Sequence, residues 1–260
     1  MFSTIILAAG LGKRMQMPDR PKVMAELKNN PLIYYVLKAT LELKPEKTVL
    51  IVGHKKEIVI DYIQNVFKKQ HISDKNKSEI CFVTQEEQLG TGHAALCAKN
   101  EFENYIGKVL ILAGDTPLLT SDTLRSFMLN HDSTGADISV LSSTTAEPTG
   151  YGRIIRDRDE NFIKIVEEKD ASEEEKSIKE INSGVYLLSA EILFNLLEKI
   201  ENKNNQNEYY LTDIVSIAMN EKLKIVAANI ANFEEIQGIN TQEQLLEVKR
   251  ILEERESIKN

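Results

Sequence analysis

The residues of this chain whose types and spacing could do chemistry begin at Ile5-Ile6-Leu7-Ala8-Ala9-Gly10-Leu11-Gly12. There an apolar run ends in small residues and two glycines, and the cations Arg14 and Lys22 follow. A buried strand that stops at a glycine-rich turn leaves backbone N–H groups pointing outward, which is how proteins hold phosphates. The two cations predict a bound group with more negative charge than a few amides neutralise. A dinucleotide fingerprint would place a third glycine at position 15, where Met15 stands, and no Gly-Lys-Ser/Thr P-loop ending is present. Asp115 closes a second apolar run, Val109-Leu110-Ile111-Leu112, where ligands of open α/β sheets collect. A carboxylate there can hold Mg²⁺ against a triphosphate, or it can simply open a turn before Thr116-Pro117. Asn240-Thr241-Gln242-Glu243 predicts a helix start with Asn240 as N-cap and Glu243 completing a capping box.

Elements that position these groups are legible from hydrophobic patterning. Strands are predicted at residues 4–8, 48–52, 79–84, 109–113 and 137–141, separated by helices at 32–43, 56–69, 92–104 and 121–131. This alternation predicts an α/β fold with a largely parallel central sheet and helices on both faces. Its continuously apolar members, Ile5–Leu7 and Val109–Leu112, are expected as central strands. Beyond about residue 143 the pattern changes. A hairpin is predicted from 153–156 and 162–167 around a polar turn at 157–161, and a further strand at 181–188. The charged run 171–179 reads as a solvated helix or loop, so residues 144–183 are expected to form a lid or insertion. A helix at 190–200, an asparagine-rich loop at 202–207, a helical segment at 211–219, a strand at 224–229 and a terminal helix from about 241 complete the chain.

Composition bounds the partners. Across 260 residues the hydrophobic content is 42% and the formal net charge −8, which disfavours nucleic acid or an anionic membrane as the main partner. No apolar run approaches the roughly 20 residues of a membrane span. No signal peptide is indicated, so a cytoplasmic location is expected. Cys81 and Cys97 lack a CxxC arrangement and are expected as reduced core residues. His54, His71, His93 and His131 lack ligand spacing, which argues against a zinc site.

The extended pattern Leu-Ala-Ala-Gly-x-Gly-x-Arg-Met with Pro21-Lys22 resembles the signature of sugar-1-phosphate nucleotidyltransferases. Gln85-Glu86-Glu87-Gln88-Leu89-Gly90-Thr91-Gly92-His93-Ala94 is similar to the base-recognition segment of N-acetylglucosamine-1-phosphate uridylyltransferases. Leu112–Leu118, Thr149–Ile154, Ile165–Ala171, Glu180–Gly184 and Glu208–Asp213 resemble further motifs of that family, in its order, so the resemblance covers residues 4 to about 245. It implies a Rossmann-like nucleotidyltransferase fold in a single domain of residues 1–260. Within it, about 1–143 would form a nucleotide-binding half, about 144–230 a β-rich sugar-binding part and about 240–258 a C-terminal helix.

The resemblance also implies roles. Arg14 and Lys22 would contact the phosphates of UTP and of the sugar phosphate, which suits a reaction that brings two anions together. Leu7, Ala8, Ala9, Gly10 and Gly12, with Gln85, Gly90 and Thr91, would bind the nucleotide. Gly152, Glu167 and Asn182 would bind the sugar, and Asp115 and Asn240 would hold Mg²⁺. The implied reaction joins UTP and N-acetylglucosamine-1-phosphate to give UDP-N-acetylglucosamine and pyrophosphate. Glucose-1-phosphate with UTP or dTTP, or a non-catalytic nucleotide-sensing protein on the same fold, remain as alternatives; Met15 argues against a dehydrogenase. Two departures from the family are Ala113, which carries no aromatic or hydroxyl group, and Glu168, where relatives often have His. No hexapeptide-repeat period follows the terminal helix. The acetyltransferase activity and trimerisation surface of bifunctional family members are therefore expected to be absent from this polypeptide, and the oligomeric state stays open.

Overall fold

A computed structural model of the chain describes residues 1–15, 17–68, 78–229 and 232–259. The predicted His71, and residue 69 of the second helix, fall outside these. One nine-stranded sheet runs through the molecule. Its main path is β11 (Ile225–Asn229), β7 (Ile138–Thr144), β10 (Glu180–Ser189), β6 (Lys108–Ala113), β1 (Phe2–Leu7), β4 (Lys47–Val52) and β5 (Glu79–Thr84). β1 pairs in parallel with β4 and β6, β4 with β5, and β11 with β7. Only β10 runs against its neighbours on this path, β6 and β7. β8 (Arg153–Arg156) and β9 (Phe162–Val166) form the predicted hairpin, and β8 joins the main sheet by pairing Arg153 with Ile181 of β10. A separate hairpin of two-residue strands, β2 (Glu26–Leu27) and β3 (Asn30–Pro31), is too short to leave a periodic signal in sequence.

The apolar central strands divide their side chains by period two. Ile5, Val49, Ile51, Val109 and Ile111 face one core with Ala94, Leu193 and Ile214. These last come from α3 (Thr91–Cys97), α6 (Ala190–Leu197) and α7 (Asp213–Asn220). Ile6, Leu50, Val52, Leu110 and Leu112 face the opposite core with Val36, Val59 and Leu124. Those belong to α1 (Leu32–Leu41), α2 (Lys56–Ile63) and α4 (Ser121–Thr134). Two buried threonines inside the sheet pair across β1 and β4: Thr4 Oγ1 donates to Thr48 Oγ1 at 2.9 Å.

Several boundaries differ from expectation for local reasons. α4 starts at a Thr120 cap that accepts from Thr123 N, and continues to Gly135, whose φ of 60° ends it in the left-handed region. The segment expected as one helix over 92–104 is α3 followed by a 3₁₀ turn, Lys99–Phe102. α2 passes into a π turn, Gln64–Lys68. In the charged run, α5 (Glu173–Lys176) is held by a capping box between Ser172 and Glu175. α8 (Phe233–Ile236) precedes the terminal helix α9 (Gln242–Lys259). The capping box of α9 is shifted one residue from the prediction. Thr241 Oγ1 accepts from Gln244 N at 3.3 Å, and Gln244 Oε1 accepts from Thr241 N at 3.1 Å and Asn240 N at 2.7 Å. The Asn240 side chain is thereby left out of the cap. Cys81 and Cys97 are free but half-buried rather than core, and burial with nearby Glu79 pushes the Cys81 thiol up to about 12.

Candidate active site

The glycine-rich loop follows from β1. Ala8 N still donates to Ile51 O at 2.9 Å and Leu7 O accepts from Gly114 N at 2.9 Å, so the sheet holds the chain to its last residue before the turn. Gly12 then takes a φ of 61°, and a Cβ there would lie 2.5 Å from Lys22 Cβ. Glycine at 12 is thus what lets the loop lie against Lys22.

Asp115, Asn240, Lys22 and Arg14 converge although they come from three distant segments. The Lys22 ammonium forms an ion pair with Asp115 Oδ2 and donates to Asn240 Oδ1 at 3.0 Å. Arg14 Nη2 donates to the same Asn240 oxygen at 3.1 Å. Ile239 N donates to Asp115 O at 3.0 Å, which ties the segment before α9 to the end of β6. Beside them, a Cβ on Gly238 would lie 3.8 Å from both carboxylate oxygens of Asp115. A carboxylate and an amide oxygen that together surround a cationic nitrogen form a hard-oxygen donor set, which fits Mg²⁺.

Around Gln85 the site is pinned from the far end of the chain. Gln85 is buried at 3% exposure, donates through Nε2 to Gly90 O at 3.1 Å and lies 2.9 Å from His93 Nδ1. Gly90 has a φ of 115°, and a Cβ there would sit 2.5 Å from Tyr209 O. Tyr209 N donates to Leu89 O, Gly92 N to Tyr209 O, and Leu211 N to Thr91 Oγ1 at 3.0 Å. The Glu208–Asp213 motif therefore works here partly as a brace for residues 89–92.

Elsewhere in the lining, Glu167 Oε1 accepts from Thr212 Oγ1 at 3.0 Å. Burial, with Asp213 and Asp170 nearby, raises the Glu167 pKa, and Asp213 itself is pushed up to about 6 by burial and Asp170. Glu167 thus faces the cleft and not solvent, unlike most hairpin acids. Asn182 donates through Nδ2 to Tyr186 Oη at 2.8 Å, and its Oδ1 accepts from Gly184 N at 3.0 Å. Gly152 sits behind both: a Cβ there would lie 3.5 Å from Glu167 Oε2 and 3.6 Å from Asn182 Cβ. Glu168 pairs with the buried Arg153 at 2.7 Å.

Most of the expected site residues line one cleft of about 620 Å³. Leu7, Ala9, Gly10, Gly12, Arg14, Lys22, Gln85, Gly90, Thr91, Asp115, Glu167, Asn182 and Asn240 line it. Ala8 does not, because its side chain packs into the core on the α1 and α2 face, and Gly152 lies behind the wall. Sequence reasoning missed Gln88, Lys169, Tyr186, Gln206 and Thr212 in the lining. Tyr186 and Thr212 had a signal, the offsets of four from Asn182 and of one from Asp213. Gln206 had none beyond the asparagine-rich loop around it. Among the described residues, no helix is long and apolar enough to cross a membrane.

The chain is 45% identical over 252 residues to the bifunctional protein GlmU of Caldanaerobacter subterraneus subsp. tengcongensis, a match over 97% of this chain and 52% of the relative. GlmU of Geobacter sulfurreducens is 41% identical over 96% of this chain and 50% of its own length. GlmU of Streptococcus mutans serotype c is 40% identical over 96% and 52% respectively. The chain spans about half the length of these curated relatives. A crystal structure of UDP-glucose pyrophosphorylase complexed with UDP-glucose shares the fold, with a TM-score of 0.78 over 97% of this chain and 98% of the other, at 20% identity. A family model described as nucleotidyl transferase matches residues 3–233. With a largely parallel sheet, a glycine-rich loop closing β1 and a carboxylate just beyond β6, the chain belongs to the nucleotidyl transferase family of enzymes.

Proposed function

We propose that this enzyme transfers UMP from UTP to N-acetylglucosamine-1-phosphate in a Mg²⁺-dependent reaction, releasing pyrophosphate. The observation that carries the reading is the division of one cleft. Arg14, Lys22, Asp115 and Asn240 bond to one another in it, and Glu167 and Asn182 are held in the same cleft by separate partners, Thr212 and Tyr186. The 40–45% identity to bifunctional GlmU proteins supports the substrate pair, since the motifs of the uridylyltransferase family fall on cleft residues.

In this reading Gln85 and the backbone around Gly90 hold the uracil, whose edge alternates donors and acceptors that a side-chain amide can match. Glu167 accepts from sugar hydroxyls in the orientation fixed by Thr212. Asn182 uses one Nδ2 hydrogen on Tyr186, which leaves the second for the acetyl carbonyl. Asp115 and Asn240 would hold Mg²⁺, which supplies charge neutralisation on the phosphates. Arg14 and Lys22 bind phosphate oxygens and offset the repulsion between two anions.

An oxygen of the sugar phosphate attacks the α-phosphorus; the new P–O bond forms as the bond to the bridging β-oxygen breaks, and pyrophosphate leaves. The attacking oxygen is already ionised at neutral pH, so no protein base is needed. Orientation by Arg14 and Lys22 is then the chain's main contribution.

The test is pyrophosphate release across UTP, dTTP, ATP and GTP, each with N-acetylglucosamine-1-phosphate, glucose-1-phosphate and glucosamine-1-phosphate, with and without Mg²⁺. The expected result is release dependent on Mg²⁺ and highest with UTP and the N-acetylated sugar. Equal release with glucose-1-phosphate would overturn the sugar assignment, and no release with any pair would favour a sensing role.

A further inference from the structure

Helix α9 lies beyond residue 233, where the family match ends, yet it bonds to the backbone of the segments that carry Arg14, Asp115 and Asn240. A third hydrophobic core consists of Met15, Ala25, Leu27, Leu32, Leu118, Ile239 and Val248, with Leu245, Ile251 and Leu252 packed against it. Met15 directly follows Arg14, and Ile239 directly precedes Asn240. Ala25 stands three residues after Lys22, and Leu118 three after Asp115. All four polar groups are thus anchored within three residues of one small core whose outer wall is α9.

Two side chains of the helix also reach the loops' backbone. Gln242 Nε2 donates to Met15 O at 3.1 Å, and Arg255 Nη1 donates to Leu118 O at 3.3 Å. Arg255 Nη2 additionally pairs with Glu234 Oε2 at 3.1 Å. The first bond grips the loop of Arg14 and the second grips the loop of Asp115. The loops leave adjacent paired strands and are joined at their tips by the Lys22–Asp115 ion pair, and the two α9 bonds hold them from outside the sheet as well.

We propose that α9 is a positioning element for the transfer reaction. Gln242, Val248 and Arg255 set the distance between the cationic loop and the Asp115 turn without touching substrate. The inference rests on the function proposed above. Its physical basis is that displacement of about 1 Å in reacting groups costs on the order of 100-fold in rate. A partial loosening through one bridge should therefore cost about tenfold.

The experiment uses Gln242→Met, Val248→Ala and Val248→Ile in the full chain. Readouts are kcat, the KM of each substrate, melting temperature, and Mn²⁺ affinity in the absence of nucleotide. Gln242→Met removes the donor but keeps the volume of a surface side chain, so folding should be unaffected. The expected result is a kcat about tenfold lower for Gln242→Met and Val248→Ala, with both KM values within about twofold and Mn²⁺ bound about threefold more weakly. Val248→Ile should restore both quantities. Wild-type kcat and Mn²⁺ affinity in Gln242→Met would overturn the proposal, as would losses in Val248→Ala that track melting temperature alone. If the unmodified protein releases no pyrophosphate, the proposed reaction fails by itself. The Mn²⁺ titration then still decides whether α9 positions the Asp115–Asn240 pair.

Discussion

At the phosphate end of the cleft, Arg14, Lys22, Asp115 and Asn240 come from distant segments and bond to one another. In the cluster proposed for the sugar, Glu167, Asn182, Tyr186 and Thr212 lie within the 45 residues that separate Glu167 from Thr212, and a neutral partner holds each polar group. The first arrangement stores opposite charges side by side in a largely buried place open to the cleft, ready to be exchanged for ligand charges. In the second, a single carboxylate is kept against the cost of burial, which raises its pKa. Substitutions should therefore act on rate at one end and on selectivity at the other.

The largest effect should come from Asp115→Ala. Turnover should fall by about 1,000-fold or more, with circular dichroism and melting temperature near wild type, because Asp115 sits at the cleft and outside the core. Near-normal turnover would remove the metal assignment. Next in size, Lys22→Met should lower kcat by about 100-fold. The same variant should bind Mn²⁺ more tightly without nucleotide, since the ammonium no longer occupies the oxygens of Asp115 and Asn240. Glu167→Gln should raise the KM of the sugar phosphate by about tenfold and leave that of UTP within about twofold. An equal change in both would erase the contrast between the two ends.

Much of the phosphate end was legible in sequence. The continuous apolar runs of β1 and β6 announce central strands, and ligand residues at strand ends follow from the architecture. Other features were hidden because they depend on distant partners. Nothing local in residues 180–189 says that β10 inserts antiparallel between β6 and β7. The cap of α9 was displaced because Asn240 and Thr241 are both good N-caps, and only the Gln244 side chain decides between them. Met15 is instructive as well. Its failure to be a third glycine had a chemical reading, while the fold gives it a packing role with no exposure at all.

Smaller effects concern pH. The raised pKa of Glu167 means that its charged, hydrogen-bond-accepting form is lost on acidification sooner than for an ordinary glutamate. The KM of the sugar phosphate should rise as pH falls, at a higher pH than for an ordinary glutamate and with a shallower rise for UTP, and Glu167→Gln should flatten the difference. Asp213 in the fold keeps its proton up to about 6, whereas the unfolded chain releases it near 3.8. The folded state thus binds the extra proton between those values, and the group's contribution to stability falls as pH rises through that window. Asp213→Asn should accordingly stabilise the protein by about 1 kcal/mol at pH 8, a value discounted for partial exposure, and by nothing near pH 4. Urea melts at the two pH values measure this.

The irregularity in β10 has a wider consequence. The strand pairs with β7 at Glu180–Asn182 and again at Tyr186–Leu188, and the register slips between them. In the gap Ser183 Oγ donates to Leu141 O and accepts from Val185 N, and Gly184 adopts a φ of 78°. Pairing with β6 begins only at Tyr186, so the two strands part just where Asn182 meets the cleft. The sugar end is in effect a seam opened in the sheet, closed on both sides by regular ladder. Changing the length of that seam by one residue would turn Asn182 to the other face while leaving Tyr186–Ser189 in place. Selectivity can thus diversify through short insertions there, independently of the nucleotide loop.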